Sequence, residues 1–108
     1  MSFKPIIIVA GEPNSVFFEI FLKVIKKKIK SPIILIASKR LLHMQVKFLS
    51  KKINFNLINE LDVIKKRKKL KKINLIDIDF KQANAFNKIT SKSNDYISSC
   101  FKLAIKLL

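Results

Sequence analysis

The chain has 108 residues with one glycine, one cysteine and one histidine, and its 23 Lys and Arg against 7 Asp and Glu give a formal net charge of +16. That length limits it to one domain, and a 49% hydrophobic content with nine phenylalanines argues against general disorder. A lone Cys100 excludes an internal disulfide and a lone His43 excludes a histidine-rich metal site, while no apolar run approaches the roughly 18 residues that span a bilayer; the expected setting is reducing and cytoplasmic.

Ile6 to Ala10 is a continuous apolar run rich in Ile, the pattern of a strand covered on both faces and central in a parallel sheet. The only glycine follows at once, in Ala10-Gly11-Glu12-Pro13-Asn14-Ser15. Glycine tolerates positive φ and Pro13 presets a first helical turn, so the segment predicts strand, tight turn, helix. From Val16 to Ile29, Phe17, Ile20, Phe21, Val24, Ile25 and Ile29 recur at helical spacing, with Asn14 or Ser15 as N-cap and Lys26, Lys27, Lys28 and Lys30 at the C-terminal end. Glu19 and Lys23 stand four apart in the order that favours a weak surface pair.

Ser31-Pro32 breaks that helix, and Ile33 to Ala37 repeats the buried-strand pattern before Ser38 offers a cap. Residues 39 to 52 read as a helix with Leu41, Leu42, Gln45, Phe48 and Leu49 on one face. Ile53 to Ile58 reads as a third strand, with Phe55 and Leu57 on one side. Residues 59 to 72 read as a solvated connection, because Lys65 to Lys72 holds seven basic residues in eight positions. Ile73 to Phe80 gives a fourth strand, Lys81 to Lys92 a loop, and Ser93 to Leu108 a helix with Ile97, Phe101, Ala104 and Leu108 on one face and Cys100 beside them. The alternation predicts an α/β fold: a mostly parallel sheet with flanking helices, residues 1–108 forming one unit. That last helix is still apolar where the chain stops, so these residues are expected to be a piece of something larger.

The Gly11 turn is the strongest candidate for chemistry. Carboxyl ends of parallel strands and the partly positive N-termini of the following helices form crevices suited to phosphate or carboxylate groups. Steric relief in a strand-to-helix turn is the plainer reading, and the glycines of a dinucleotide fingerprint or a P-loop are absent.

Gly11-Glu12-Pro13-Asn14-Ser15-Val16-Phe17-Phe18-Glu19 resembles the opening motif of the 4-hydroxythreonine-4-phosphate dehydrogenases, Gly-Asp/Glu-Pro-Ala-Gly-Ile-Gly-Pro-Glu, with Gly11, Glu12, Pro13 and Glu19 in register. Asn14, Ser15, Phe17 and Phe18 stand where the family has Ala, Gly, Gly and Pro. The likeness covers essentially this whole chain but only the N-terminal part of the family's enzyme. It implies part of an isocitrate-dehydrogenase-like fold and an NAD-dependent oxidoreductase of pyridoxal 5'-phosphate (vitamin B6) synthesis. Such an enzyme acts on a small phosphorylated amino acid as a homodimer, with a divalent metal that polarises the reacting oxygen. Gly11, Glu12, Pro13 and Asn14 are then expected to line the active-site crevice, with Glu19 tying the turn down. The family's metal-binding histidines lie downstream, so the resemblance carries over no catalytic residue and no metal ligand. His43 corresponds to none of them. Neither NAD nor the metal is expected to be held by this chain alone, which should be inactive.

The rival reading is a small basic protein that binds nucleic acid or an anionic surface through Lys65 to Lys72. The run has no interleaved aromatic residue on which a base could stack, and the inventory, with Arg40 and Arg67 the only arginines, is what A+T-rich coding produces. Specific nucleic-acid binding and membrane attachment are therefore not expected. Cys100 reads as a buried structural thiol, and Asp77 and Asp79 as the polar face of an edge strand or a cation-binding pair.

Overall fold

The computed structural model describes residues 4–27 and 29–108; Lys28, assigned above to a helix end, lies outside the described residues. The elements run β1 (Ile6–Val9), α1 (Phe17–Val24), β2 (Ile33–Ala37), α2 (Lys39–Phe48), β3 (Asn56–Ile58), α3 (Glu60–Ile64), β4 (Ile73–Asp77), a 3-10 turn (Ser91–Ser93) and α4 (Asn94–Leu107). All strand pairs are parallel, in the order β1-β2-β4-β3. The fold is α/β with a parallel sheet and flanking helices, as the alternation predicts.

Strand side chains alternate between two apolar layers. Ile33, Leu35 and Ala37 of β2, with Ile73 and Leu75 of β4, face α1 and α2 and meet Phe18, Phe21, Leu22 and Leu42. Ile34, Ile36, Ile58 and Ile76 face the other way, onto Tyr96, Cys100 and Ala104 of α4. The β1→β2→β3 path steps in one direction and β3→β4 steps back, so a single crossover hand puts α1 and α2 on one face and α3 on the other.

Several sequence expectations need correction. Among the described residues β1 is an edge strand, paired only with β2. Its apolar run is compatible with an edge position because Ile8 packs on the α1/α2 layer and Ile7 and Val9 on the α4 layer, so an edge strand between two helix layers is also covered on both faces. β4 lies inside the sheet, so Asp77 and Asp79 are not the polar face of an edge strand; Asp77 is the last residue of β4 and Asp79 follows it. β3 is only three residues long, because Ile53 and Phe55 pack on the α1/α2 core from irregular backbone.

Residues 59 to 72 contain a helix that the basic composition concealed. Asn59 accepts from the Asp62 N–H at 2.9 Å and Asp62 accepts from the Asn59 N–H at 3.0 Å, a reciprocal capping box that starts α3. The buried Asp62 carboxylate also lies 3.5 Å from Arg67 Nε and from Lys68 Nζ, which folds the start of the basic run back onto the helix. α1 and α2 are shorter than predicted, ending at Val24 and Phe48. In α4 the buried stripe is Tyr96, Cys100 and Ala104, while Phe101 and Leu108, placed on the core face above, are exposed. Tyr96 and Cys100, four residues apart, lead into the sheet and rotate the predicted face by one position.

Candidate functional site

The turn after β1 is assembled around one carboxylate. Ala10 N–H still donates to Ile36 O, after which Gly11 leaves the sheet at φ +70°, a conformation that favours glycine. Glu12 Oε1 accepts from Asn14 N–H at 3.1 Å, and Glu12 O accepts from Ser15 Oγ at 2.9 Å. Ser15 Oγ in turn accepts from Phe17 N–H at 3.2 Å, at the start of α1. Glu12 Oε2 accepts from Ser93 Oγ at 3.0 Å, across most of the chain. Glu12, not Glu19, ties this turn down: Glu19 is exposed on α1.

Asn14 caps no helix. Its side-chain amide pairs with that of Gln82 in both directions, at 3.1 and 2.8 Å, and its Oδ1 also accepts from Asn87 N–H at 2.8 Å. Gln45 of α2 completes the stitching, with its Nε2 donating to Pro13 O at 2.8 Å and to Ala85 O at 3.0 Å. The 82–87 segment is thereby fastened over the Gly11 turn. Sequence patterning did not select Gln45, Gln82 or Ser93 as partners, because periodicity reports which face a residue occupies and not which distant amide or carboxylate it meets.

The four residues assigned to the crevice lie together but on different sides of the turn. Glu12 and Pro13 line a small, partly open hollow of about 10 Å³, shared with Ser38, Gln45, Tyr96 and Phe18. That volume is near the smallest that holds one water. Gly11 lines neither this cavity nor its neighbour, and Asn14 faces the other side, at the rim of an open basin of about 400 Å³ with Lys81, Lys88 and Lys92. Phe17 and Phe18, where the resembled family has small residues, fill the inner side of the turn, with Phe18 packed against Phe21 and Phe55.

β2 and β4 are neighbours whose outgoing chains leave toward opposite faces, which makes the gap between their carboxyl ends the switch point of the sheet. This gap is occupied from within. Asp77 Oδ1 accepts from Lys39 N–H at 2.8 Å and Ser38 Oγ accepts from Leu41 N–H at 3.2 Å, so two protein oxygens satisfy donors at the α2 N-terminus. Ser38 N–H donates to Tyr96 Oη at 2.8 Å beneath them. Burial pushes the Tyr96 phenol well above its ordinary value, and burial likewise pushes the Cys100 thiol up to about 11, against a hydrogen bond from Tyr96 that acts the other way. A thiol so protonated is a poor nucleophile.

His43 is exposed on α2. The described residues contain no group of three or more His, Cys, Asp or Glu side chains placed to hold a metal ion. Nor is any helix among them long and apolar enough to cross a membrane. Comparison with known proteins finds no family model and no curated protein that matches the chain.

Proposed function

We propose that this chain forms the opening α/β unit of an NAD-dependent oxidoreductase similar to the 4-hydroxythreonine-4-phosphate dehydrogenases, acting in pyridoxal 5'-phosphate synthesis. The observation that carries this reading is the conformation of the resembling segment. Gly11 takes φ +70° at the carboxyl edge of a parallel sheet, and Glu12-Pro13 leads from it into α1, which bears Glu19. A ligand-binding α/β unit presents such a turn at that edge.

On this reading the unit contributes a wall and no catalytic group. The oxidation needs a nicotinamide to accept hydride and a divalent metal to polarise the substrate oxygen. Both are assigned on this reading to other parts of a homodimeric enzyme that takes a small phosphorylated amino acid, the described residues offering no group of three or more His, Cys, Asp or Glu for the metal. Glu12 and Asn14 act by holding the turn and the 82–87 segment in one geometry.

The test is immunopurification from the native cells with an antibody against this chain, followed by intact mass and an assay of NAD-dependent oxidation of 4-phosphohydroxythreonine with a divalent metal present. The expected species is several times heavier than 12.5 kDa and carries the activity. An inactive 12.5 kDa species would overturn the proposal.

A further inference from the structure

We propose that the β1 side of the molecule pairs with a second copy of this chain, β1 against β1 in antiparallel sense, so that the two sheets run on as one. Pairing with β2 uses alternate residues of β1. Ile6 N–H donates to Pro32 O and Ala10 N–H to Ile36 O, and Ile8 shares their register, so the N–H and C=O of Ile7 and Val9 point out of the sheet. A two-fold axis at Ile8 sets Ile7 of one copy opposite Val9 of the other, twice over, and closes about four main-chain hydrogen bonds. Pro5, next in the outward register, has no N–H to donate, which ends the ladder and pins it on Ile8.

Both helix layers offer apolar side chains to the same edge. On α1, Glu19, Leu22 and Lys23 share a groove with Leu49 and Lys51, beyond the end of α2. Val16, Ile20 and Val24, one row four residues apart, wind along the opposite flank. On the other face α4 lies against β1 and β2. Lys106 of α4 pairs with Glu60 of α3, which belongs to the β3–β4 side, and Phe101 and Ile105 occupy the flank away from it.

These features identify the occupant. A single added strand would satisfy Ile7 and Val9 but leave both helix rows in water; a partner sheet with a helix on each face covers all three layers, and a copy of this chain has that construction at that edge. Ile6, Val16, Ile20, Val24, Phe101 and Ile105 are 43–69% exposed and offer roughly 600 Å², close to the ~800 Å² that each partner gives to a standard interface. The net charge of +16 on each copy opposes the encounter, so salt should strengthen the association, whereas it weakens binding of an anion. The contact rests on the open edge and not on the dehydrogenase reading: a 12.5 kDa chain without oxidoreductase activity that still pairs through β1 would keep it.

The experiment is sedimentation equilibrium of the whole chain at 0.05 M and about 0.5 M NaCl, with amide hydrogen exchange under the same conditions. We expect a species of twice 12.5 kDa and no larger, at least about threefold tighter at the higher salt. Ile7 and Val9 N–H should exchange at least about tenfold more slowly where the dimer dominates. Ile20→Lys/Ile105→Lys should weaken pairing at least about tenfold, while Ile64→Lys, on the exposed side of α3, stays within about twofold of the parent at high salt. All three positions are exposed, and an unchanged circular dichroism spectrum reports intact folding. A monomer at both salts would leave the edge to a different polypeptide and overturn the proposal, as would open-ended polymers, dissociation by salt, equal losses in the two variants, or a dimer in which Ile7 and Val9 exchange as fast as in the monomer.

Discussion

Glu12 Oε2 and Ser93 Oγ are 3.0 Å apart, although 81 positions separate them in the chain. The bond joins the turn after the first strand to the start of the last helix, and it closes the carboxyl edge of the sheet near β1. Ser93 also lies 3.0 Å from Thr90 O, so one hydroxyl proton is shared between a charged and a neutral acceptor. The charged acceptor attracts it more strongly.

Replacing either partner should therefore cost stability. Ser93→Ala is expected to destabilise the fold by about 1 kcal/mol and Glu12→Ala by about 1–3 kcal/mol, the larger loss reflecting the further bond to Asn14 N–H. Urea unfolding of both single variants and the double variant would measure their coupling, expected near 1 kcal/mol. Strict additivity would show that the bond contributes nothing.

Gly11 gives a different signature. A Cβ built there meets no atom within 4 Å, so only backbone strain at φ +70° opposes a side chain. Gly11→Ala should cost about 1–2 kcal/mol, Gly11→Asn less and Gly11→Val more, since Asn tolerates the left-handed region and β-branched residues do not. The order of the three unfolding midpoints checks this, and a Val variant as stable as the Asn variant would contradict it.

Asp62 should shape the acid limb of stability. The Asn59 N–H, and after it the charges of Lys68 and Arg67, hold its carboxyl below the ordinary value despite the opposing effect of burial. A lowered folded-state value means that its contribution is present above the unfolded carboxylate range and is lost as pH falls through the folded value. Asp62→Asn should flatten that part of a stability-versus-pH curve and speed tryptic cleavage after Arg67, which loses its anchor. Identical acid limbs and cleavage rates would assign no role to the carboxylate.

Cys100 and Tyr96 set the alkaline limb. Both are raised, Cys100 to about 11, so the folded state prefers their protonated forms. The Cys100 contribution is full below the unfolded thiol range and disappears as pH climbs through about 11; that of Tyr96 is lost at higher pH still. Thermal melts between pH 8 and pH 11, set by the roughly 8.5 of a free thiol and the folded value, should fall more steeply for the parent than for Cys100→Ala. Equal slopes would rule the thiol out as the titrating group.

The apolar periodicity of this chain determined a good deal without help. Isoleucine-rich runs at residues 6 and 33, separated by a helical pattern and Pro32, admit little besides strand-helix-strand, because burying both faces of a strand and one face of a helix needs that composition. Ser38 was legible as a cap and Gly11 as a special turn, since both effects act within a few residues. The helix at Glu60–Ile64 was not legible from hydrophobic patterning, because a two-residue capping box starts it.

What only the tertiary structure decided is which strands are neighbours and which polar groups meet. The step from β2 over β4 to β3 leaves β1 at the edge, and the apolar run alone cannot distinguish that place from the centre when helices cover both faces. The pairing of Glu12 with Ser93, Asn14 with Gln82 and Asp77 with Lys39 N–H likewise depends on chain crossings far apart in sequence. Hydrophobic pattern is a property of each segment and can be read locally. A hydrogen bond is directional and short, so its partner exists only once the layers have packed and brought two distant atoms within about 3 Å.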